Sequence, residues 1–266
     1  MKKMLKVVLA IALVAVMAVS FAACGNANNT TQAPAEAGKL IVATNAEFPP
    51  FEFIATNGNG ICGEFDGIDI AIANEIAKDM GVTLEVSNMD FNSIIPAVQA
   101  GKANIGIAGM TVTEERLENV DFSDPYWIAV QTIIVKDTNT DITSVETLKG
   151  KKVGVVTGYT GDLTLSEIDG IEIARYQKGI DAVQDLVNGK LDAAVIDSPT
   201  ATSFIAKNPG LKGINDDSVF ETEAYAVAVK KGDTELLAKV NATIKRLNDS
   251  NEIAKIAADV DARLAQ

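Results

Sequence analysis

The sequence predicts a two-lobed α/β protein, each lobe a mainly parallel sheet flanked by helices, with a two-strand hinge between them. Three observations predict it. Short apolar runs alternate with stretches whose apolar residues recur at helical spacing, the pattern of a parallel sheet with crossover helices. The pattern starts twice, once at Lys39 and again after Val135. About 230 residues follow the first start, long for one compact core and suited to two.

The chain begins with a different kind of segment. Lys2, Lys3 and Lys6 precede an apolar run from Val7 to Val19, shorter than the ~20 residues of a membrane-spanning helix, and small residues follow it. Residues 1–23 therefore read as an export signal. Phe21-Ala22-Ala23-Cys24 is similar to a bacterial lipoprotein box, which implies cleavage before Cys24 and lipid on its sulfur. Cleavage after Ser20-Phe21-Ala22 is the alternative, giving a secreted chain without lipid. With lipid, the protein sits at the outer face of the cytoplasmic membrane, at the cell surface or in the periplasm, held by the anchor alone. Residues 24–38 contain no aliphatic side chain larger than alanine after the cysteine and read as a tether with a root-mean-square reach of about 20 Å.

Composition excludes several functions. Asp and Glu number 36 against 23 Lys and Arg, which argues against a nucleic-acid partner. There is no histidine, so the commonest zinc ligand and the usual base of a serine hydrolase are missing. Cys24 and Cys62 are the only cysteines, and lipid on the first leaves the second a lone thiol, buried or beside a turn. Neither a cofactor nor a metal is expected.

The elements follow in order. Lys39 to Asn45 is a buried strand, ended by the turn at Glu47-Phe48-Pro49-Pro50-Phe51, where two prolines stop any regular element. Asp69 to Met80 is an amphipathic helix with Ile68, Ile72, Ile76 and Met80 on one face. A strand at 82–86, a helix at 92–100 and a strand at 103–108 come next. Thr113 is placed to cap a helix reaching about Asn119, with Glu114 and Glu115 in its first turn. Tyr126 to Val135 reads as one long strand whose beginning crosses between lobes. Thr143-Ser144-Val145-Glu146 fits a capping box ahead of a short helix ending at Gly150. Strands at 152–156, 172–176 and 193–196 then alternate with helices at 160–166, 180–188 and 200–207. A strand at 224–229 crosses back, and helices at 234–248 and 252–264 cover the first lobe. The expected boundaries are 39–125 with 226–266 for lobe 1, 131–220 for lobe 2, and 126–130 with 221–225 for the hinge.

Ligands of open α/β sheets bind beyond the carboxyl ends of the strands, and polar features gather there. They are Asn45, Gly109 with Thr111 and Arg116, the turn Thr157 to Gly161, and Asp197. Arg116 is anomalous, because a cation in a first helical turn opposes the helix dipole. Either it pairs with Glu115, Glu118 or Asp121 on the surface, or it reaches out to an anionic ligand. Asp197 is either a helix cap or an ammonium partner. Together, an arginine with two clusters of free backbone N–H groups would hold a carboxylate, and Asp197 an ammonium. That is the outline of an α-amino acid, with Phe48 and Phe91 available to stack on its side chain.

The whole chain after the tether resembles the polar amino acid family of solute-binding proteins that feed ABC importers. The resemblance lies in Val42 to Phe53, Gly67 to Ala73, Met89-Asp90-Phe91, Gly109 to Arg116 and Asp121 to Tyr126. It implies the two-lobed type II periplasmic-binding fold, and Arg116, Thr111 and Thr160 at the ligand's α-carboxylate. It also implies Asp197 and the Gly109 carbonyl at the α-amine, and Phe48 and Phe91 around the side chain. Ala71 stands where the family's helix signature has an acid, and Asn45 where many members have aspartate. Asn45 and Val156 lean toward an uncharged polar ligand side chain, Glu47 toward a cationic one, and both remain open.

The function expected is capture of a free polar L-amino acid and its delivery to the permease of an ABC importer, by a monomer that makes and breaks no bond. A dehydratase of the same fold, similar to the cyclohexadienyl or arogenate enzymes, is the enzymatic alternative, with Glu47 its general acid. A sensory receptor for amino acids is the third reading.

Overall fold

The computed structural model describes residues 38–265. The expected export signal, the expected lipid site at Cys24 and the expected tether, as far as residue 37, lie outside the described residues.

β1 (Lys39–Thr44) opens the chain and is followed by three short strands, β2 (Glu47–Phe48), β3 (Glu52–Ile54) and β4 (Phe65–Asp66). Next come α1 (Ile68–Asp79), β5 (Thr83–Asn88), α2 (Phe91–Gln99), β6 (Ile105–Gly106), α3 (Glu114–Asn119) and β7 (Val120–Phe122). β8 (Trp127–Ala129) leads to β9 (Gln131–Lys136), β10 (Lys152–Val156), α4 (Thr160–Ser166), β11 (Glu172–Tyr176) and α5 (Gly179–Val187). β12 (Ala193–Asp197), α6 (Ser198–Lys207) and β13 (Leu211–Asn215) complete this half. β14 (Glu223–Tyr225) returns the chain to β15 (Ala228–Lys230), α7 (Thr234–Asp249) and α8 (Glu252–Leu264).

Two five-stranded sheets result, in the orders β5-β1-β6-β15-β7 and β11-β10-β12-β9-β13. In each sheet four strands point one way and one is reversed. The reversed strands are β15 and β9, which pair antiparallel with both neighbours. Each is the first strand laid down after the chain crosses between sheets, so it enters from the opposite end. β8 and β14 carry the two crossings and pair with each other, Trp127 opposite Tyr225 and Ala129 opposite Glu223.

The local chemistry explains where the observed elements depart from the expected ones. The run 126–135 is two strands because Val130 turns its backbone to Ser198, whose N–H donates to the Val130 carbonyl at 2.8 Å. The run 224–229 breaks in the same way: the Ala226 amide donates to the Met110 carbonyl and the Val227 amide to Ser123 Oγ, at 3.1 and 2.9 Å. The capping box at 143–146 does not form. Thr147 Oγ1 instead accepts from the Thr143 and Ser144 amides, and only a 3₁₀ turn, Glu146–Leu148, follows. The hairpin of β2, β3 and β4 and the strands β7 and β13 were not expected. Four of these strands are two or three residues long, too short for a period to show.

Both faces of each sheet are covered. Leu40 and Val42 of β1 pack with Ile72 and Ile76 of α1 and with Val240, Ile244 and Leu247 of α7, while Ala43 packs with Ile94 and Val98 of α2. In the second sheet Ile134, Ala194 and Ile196 meet Ala182 and Leu186 of α5. Ile133, Val135, Val153 and Val155 meet Leu148 and Leu165 on the other face. This burial on two sides is why the strands read as continuous apolar runs. Arg263 of α8 forks onto buried Asp66, with Nε and Nη2 at 2.8 and 2.7 Å from its two oxygens. Arg246 of α7 reaches Glu75 and Asp79 of α1 at 3.0 Å each.

Ile76 is fully buried where α1, α7 and β1 meet. Ile76→Ala is expected to lower unfolding free energy by about 3 kcal/mol, or ~10 °C in Tm, whereas Leu163→Ala at a half-exposed position shifts it by less than about 1 kcal/mol. Urea titration of both variants checks the difference.

Candidate functional site

The carboxyl ends of β1, β6, β10 and β12 converge, and the polar groups expected from the sequence stand on them. After β6 the chain passes through Gly109, at φ 51°, where a Cβ would fall 2.5 Å from the Phe48 ring. Only glycine takes this backbone conformation against an aromatic face at no cost. The Gly109 amide donates to Asp69 Oδ2 at 2.7 Å, and the Tyr126 hydroxyl donates to the same oxygen at 2.8 Å. Burial raises the Asp69 pKa to about 6, against the opposing pull of these donors. Glu52, fully buried beside it, is pushed well above the usual carboxylate range by burial and by the Asp69 charge. Both acids are thereby biased toward the protonated form, and Asp69 anchors the turn that carries Gly109.

Thr113 caps α3 as expected, its hydroxyl accepting from the Arg116 amide at 3.2 Å. The Arg116 side chain is not on the surface. It is 8% exposed, and its guanidinium donates to two carbonyls, Thr111 in its own lobe at 2.7 Å and Gly158 in the other at 3.1 Å. Its guanidinium carbon lies 5.1 Å from the centre of the Phe91 ring. Burial pulls its pKa down, and the Asp197 and Glu223 charges oppose that.

The second lobe supplies the facing wall. Gly158, at φ 80°, makes the turn after β10, and Asn92 of α2 presses against the space a Cβ would take. Thr160 begins α4. Asp197 ends β12 and is 3% exposed, with the Tyr225 hydroxyl donating to it at 2.7 Å. Burial, then the nearby Glu223 charge, raises its pKa to about 7. Its side chain makes no capping bond to α6, so it is held for the cleft rather than for the helix.

Phe91, Gly109, Thr111, Arg116, Thr160 and Asp197 line one narrow cavity of about 10 Å³, together with Ala108 and Tyr159. Asn45, Phe48 and Val156 do not line it. Asn45 accepts from the Tyr159 hydroxyl at 3.2 Å and donates to the Met89 carbonyl at 2.9 Å. Phe48 and Phe91 both meet Tyr159 edge to face, at 5.4 and 4.6 Å between ring centres. Val156 is buried at the end of β10 in the apolar core. Glu47 points across the cleft to Lys178 of the second lobe, 2.6 Å away. Cys62 is a free, half-buried thiol far in sequence from these groups, its Sγ donating weakly to the Leu84 carbonyl. Among the described residues no cluster of His, Cys, Asp and Glu is arranged to hold a metal.

Sequence reasoning missed Glu223, Gln131 and Tyr159. Thr111 and Thr160 both donate to Glu223 Oε2, at 2.6 and 2.7 Å, and Gln131 Nε2 donates to Oε1 at 3.0 Å. A lone amide inside an otherwise apolar strand was the available signal for Gln131. Tyr159 was in view as part of the turn, but nothing local said that its ring would meet Phe48 and Phe91.

A cation from one lobe and a carboxylate from the other border a small, partly open space with aromatic walls, an arrangement able to engage separated opposite charges.

Residues 40–259 match the family described as bacterial extracellular solute-binding proteins, family 3. A probable histidine-binding protein of Neisseria gonorrhoeae is 35% identical, the match covering 92% of each chain. The arginine-binding extracellular protein ArtP of Bacillus subtilis is 34% identical, over 88% of this chain and 89% of its own. The crystal structure of AbpA, an amino acid ABC transporter substrate-binding protein of Streptococcus pneumoniae bound to L-arginine, superposes with a TM-score of 0.80. Its sequence is 35% identical, and the match covers 86% of this chain and 97% of that one. With the two-lobed fold, the cleft and these matches in agreement, the chain belongs to family 3 of the bacterial extracellular solute-binding proteins.

Proposed function

We propose that this protein captures a polar L-amino acid between its lobes and delivers it to the permease of an ABC importer. The observation that carries the reading is the placement of Arg116 and Asp197, from opposite lobes, on one cavity. Arg116 takes the α-carboxylate, Asp197 and the Gly109 carbonyl take the α-ammonium, and Phe48, Phe91 and Tyr159 surround the side chain. Lobe 1 comprises 39–125 with 226–266, lobe 2 comprises 131–220, and β8 with β14 serves as the hinge. The protein works as a monomer on the outer face of the cytoplasmic membrane, exported by residues 1–23 and held by lipid on Cys24. Its relatives bind amino acids by name, and its chemistry is binding without turnover. The dehydratase alternative needs Glu47 as a general acid, but Glu47 is engaged by Lys178 and does not border the cavity.

Titration calorimetry of the full chain against the common amino acids tests the reading. One or a few polar amino acids are expected to bind, and Arg116→Ala to weaken them by about two orders of magnitude, the scale of a lost buried charge-assisted contact. A flat panel from folded protein, or turnover of prephenate or arogenate, would overturn it.

Affinity is also expected to depend on pH. The Asp197 pKa is raised to about 7, and only its ionised form partners an ammonium. Lowering pH through that value protonates it, so Kd rises by about tenfold between pH 7.5 and 6 and levels off above pH 8. The same titration repeated across pH checks this, and Asp197→Asn is expected to bind weakly at every pH.

A further inference from the structure

Glu52 opens β3 and Asp69 stands in the first turn of α1. Both are 0% exposed, and neither lines the cavity. Their segments are joined by the Asp69 amide, which donates to the Phe51 carbonyl at 2.9 Å, and the two side chains are within hydrogen-bonding reach. The carboxyl oxygens are unequally served. Asp69 Oδ2 accepts from the Gly109 amide and the Tyr126 hydroxyl, while Asp69 Oδ1 and both Glu52 oxygens meet no donor from any other residue. The titratable groups that face Glu52 are Asp69, Asp197 at the end of β12, and the hydroxyls of Tyr126 and Tyr159. Among the described residues no Lys or Arg forms an ion pair with either acid.

Two adjacent carboxylates cannot both stay ionised out of water with no cation beside them. One proton removes the conflict, and the contacts decide where it sits. Two donors and the positive end of α1 favour charge on Asp69. Glu52 has neither, so it carries the proton. We propose that Glu52 is a neutral acid that donates its proton to Asp69 Oδ1, and is thereby the positioning residue that keeps Asp69 ionised beneath the Gly109 turn. The titration runs the same way. Burial, then the Asp69 charge, pushes Glu52 well above the carboxylate range, whereas Asp69 is raised only to about 6. Without the Glu52 proton, Asp69 would keep one oxygen unserved and lose its charge to burial, and the Gly109 turn would lose the charged form of its anchor. The link from that turn to a ligand rests on the amino-acid reading above, and the proton itself does not.

Infrared difference spectroscopy on the full chain, in light and heavy water at about pH 8 where ordinary carboxyls are ionised, tests the proton directly. Wild type is expected to show the carbonyl stretch of a protonated carboxyl, present also in Asp197→Asn and absent from Glu52→Gln. Thermal melts test it by linkage. A group whose folded pKa is raised stabilises the fold below its unfolded value of 4.5 and loses that contribution as pH rises. Gln does not titrate, and its N–H still serves Asp69 Oδ1. The Tm of wild type is therefore expected to fall relative to Glu52→Gln by about 3–5 °C per pH unit between about pH 6 and 8. Calorimetry with L-arginine, L-glutamine and L-histidine reads the positioning. Glu52→Leu, which offers no donor, is expected to bind about tenfold more weakly than wild type, and Glu52→Gln to recover affinity to within about threefold. A wild-type spectrum without the band, a Tm difference that does not change with pH, or equal weakening in both variants overturns the proposal. If Glu52→Gln shows no cooperative melt, the wild-type spectrum decides. Failure of wild type to bind any of the three amino acids overturns the amino-acid reading, while the spectrum and the melts still decide the proton.

Discussion

Arg116 is a cation in the first turn of a helix, buried to 8% exposure, with its two carbonyl partners in different lobes. Every part of that position is costly on its own. The helix dipole opposes it, and burial removes the water that would solvate it. Three features offset the cost. Carbonyl oxygens at 2.7 and 3.1 Å take the place of water, the Phe91 face lies under the guanidinium, and the charges of Asp197 and Glu223 act on it across the cavity. The cleft is arranged to make one buried cation tolerable, and the same arrangement makes it available to an anionic group entering between the lobes.

The scaffold behind the site follows from that requirement. Thr113 caps α3 and fixes where Arg116 starts, and Gly109 turns the chain under Phe48 to bring the loop there. Asp69 accepts from the Gly109 amide, with the Tyr126 hydroxyl as a second donor to the same oxygen. Tyr225, on the return crossing, holds Asp197. The two crossings thus do more than connect. They place the Tyr126 hydroxyl on Asp69, the Tyr225 hydroxyl on Asp197 and the Glu223 carboxylate on Thr111 and Thr160.

How much of this could be read from the sequence depended on the range over which each residue is held. Helices α1, α7 and α8 and strands β1 and β10 announced themselves, because their apolar residues recur at fixed spacing over a dozen residues or in a single long run. Thr113, Arg116 and Asp197 were legible because each sits at an element boundary with a local rule attached, and Arg116 was conspicuous by breaking its rule. What escaped was set by tertiary contacts. Val130 and Ala226 interrupt strands only because Ser198 and Met110 compete for their backbone groups. Glu223 is separated from Thr111 by more than a hundred residues, and no spacing within its own segment distinguishes it from a surface acid. Glu47 was open to two readings until Lys178, distant in sequence, was found to take it.

The distribution of these contacts also bears on what closes the cleft. The pair of Glu47 and Lys178 is short but partly exposed, and ion pairs in that setting contribute about 0–1 kcal/mol. The Asn92 contact to the Thr157 carbonyl is long at 3.4 Å. Neither is strong enough to repay bringing Arg116, Asp197 and Glu223 together away from water, where unpaired charge costs several kcal/mol per group. On the proposed reading, a zwitterion supplies what the two lobes lack, an anionic end for Arg116 and a cationic end for Asp197. It can engage both only when the lobes are together, and a ligand shifts a conformational equilibrium by its difference in affinity for the two states. On that reading, splitting the binding charges between lobes is the condition under which occupancy and closure become the same event.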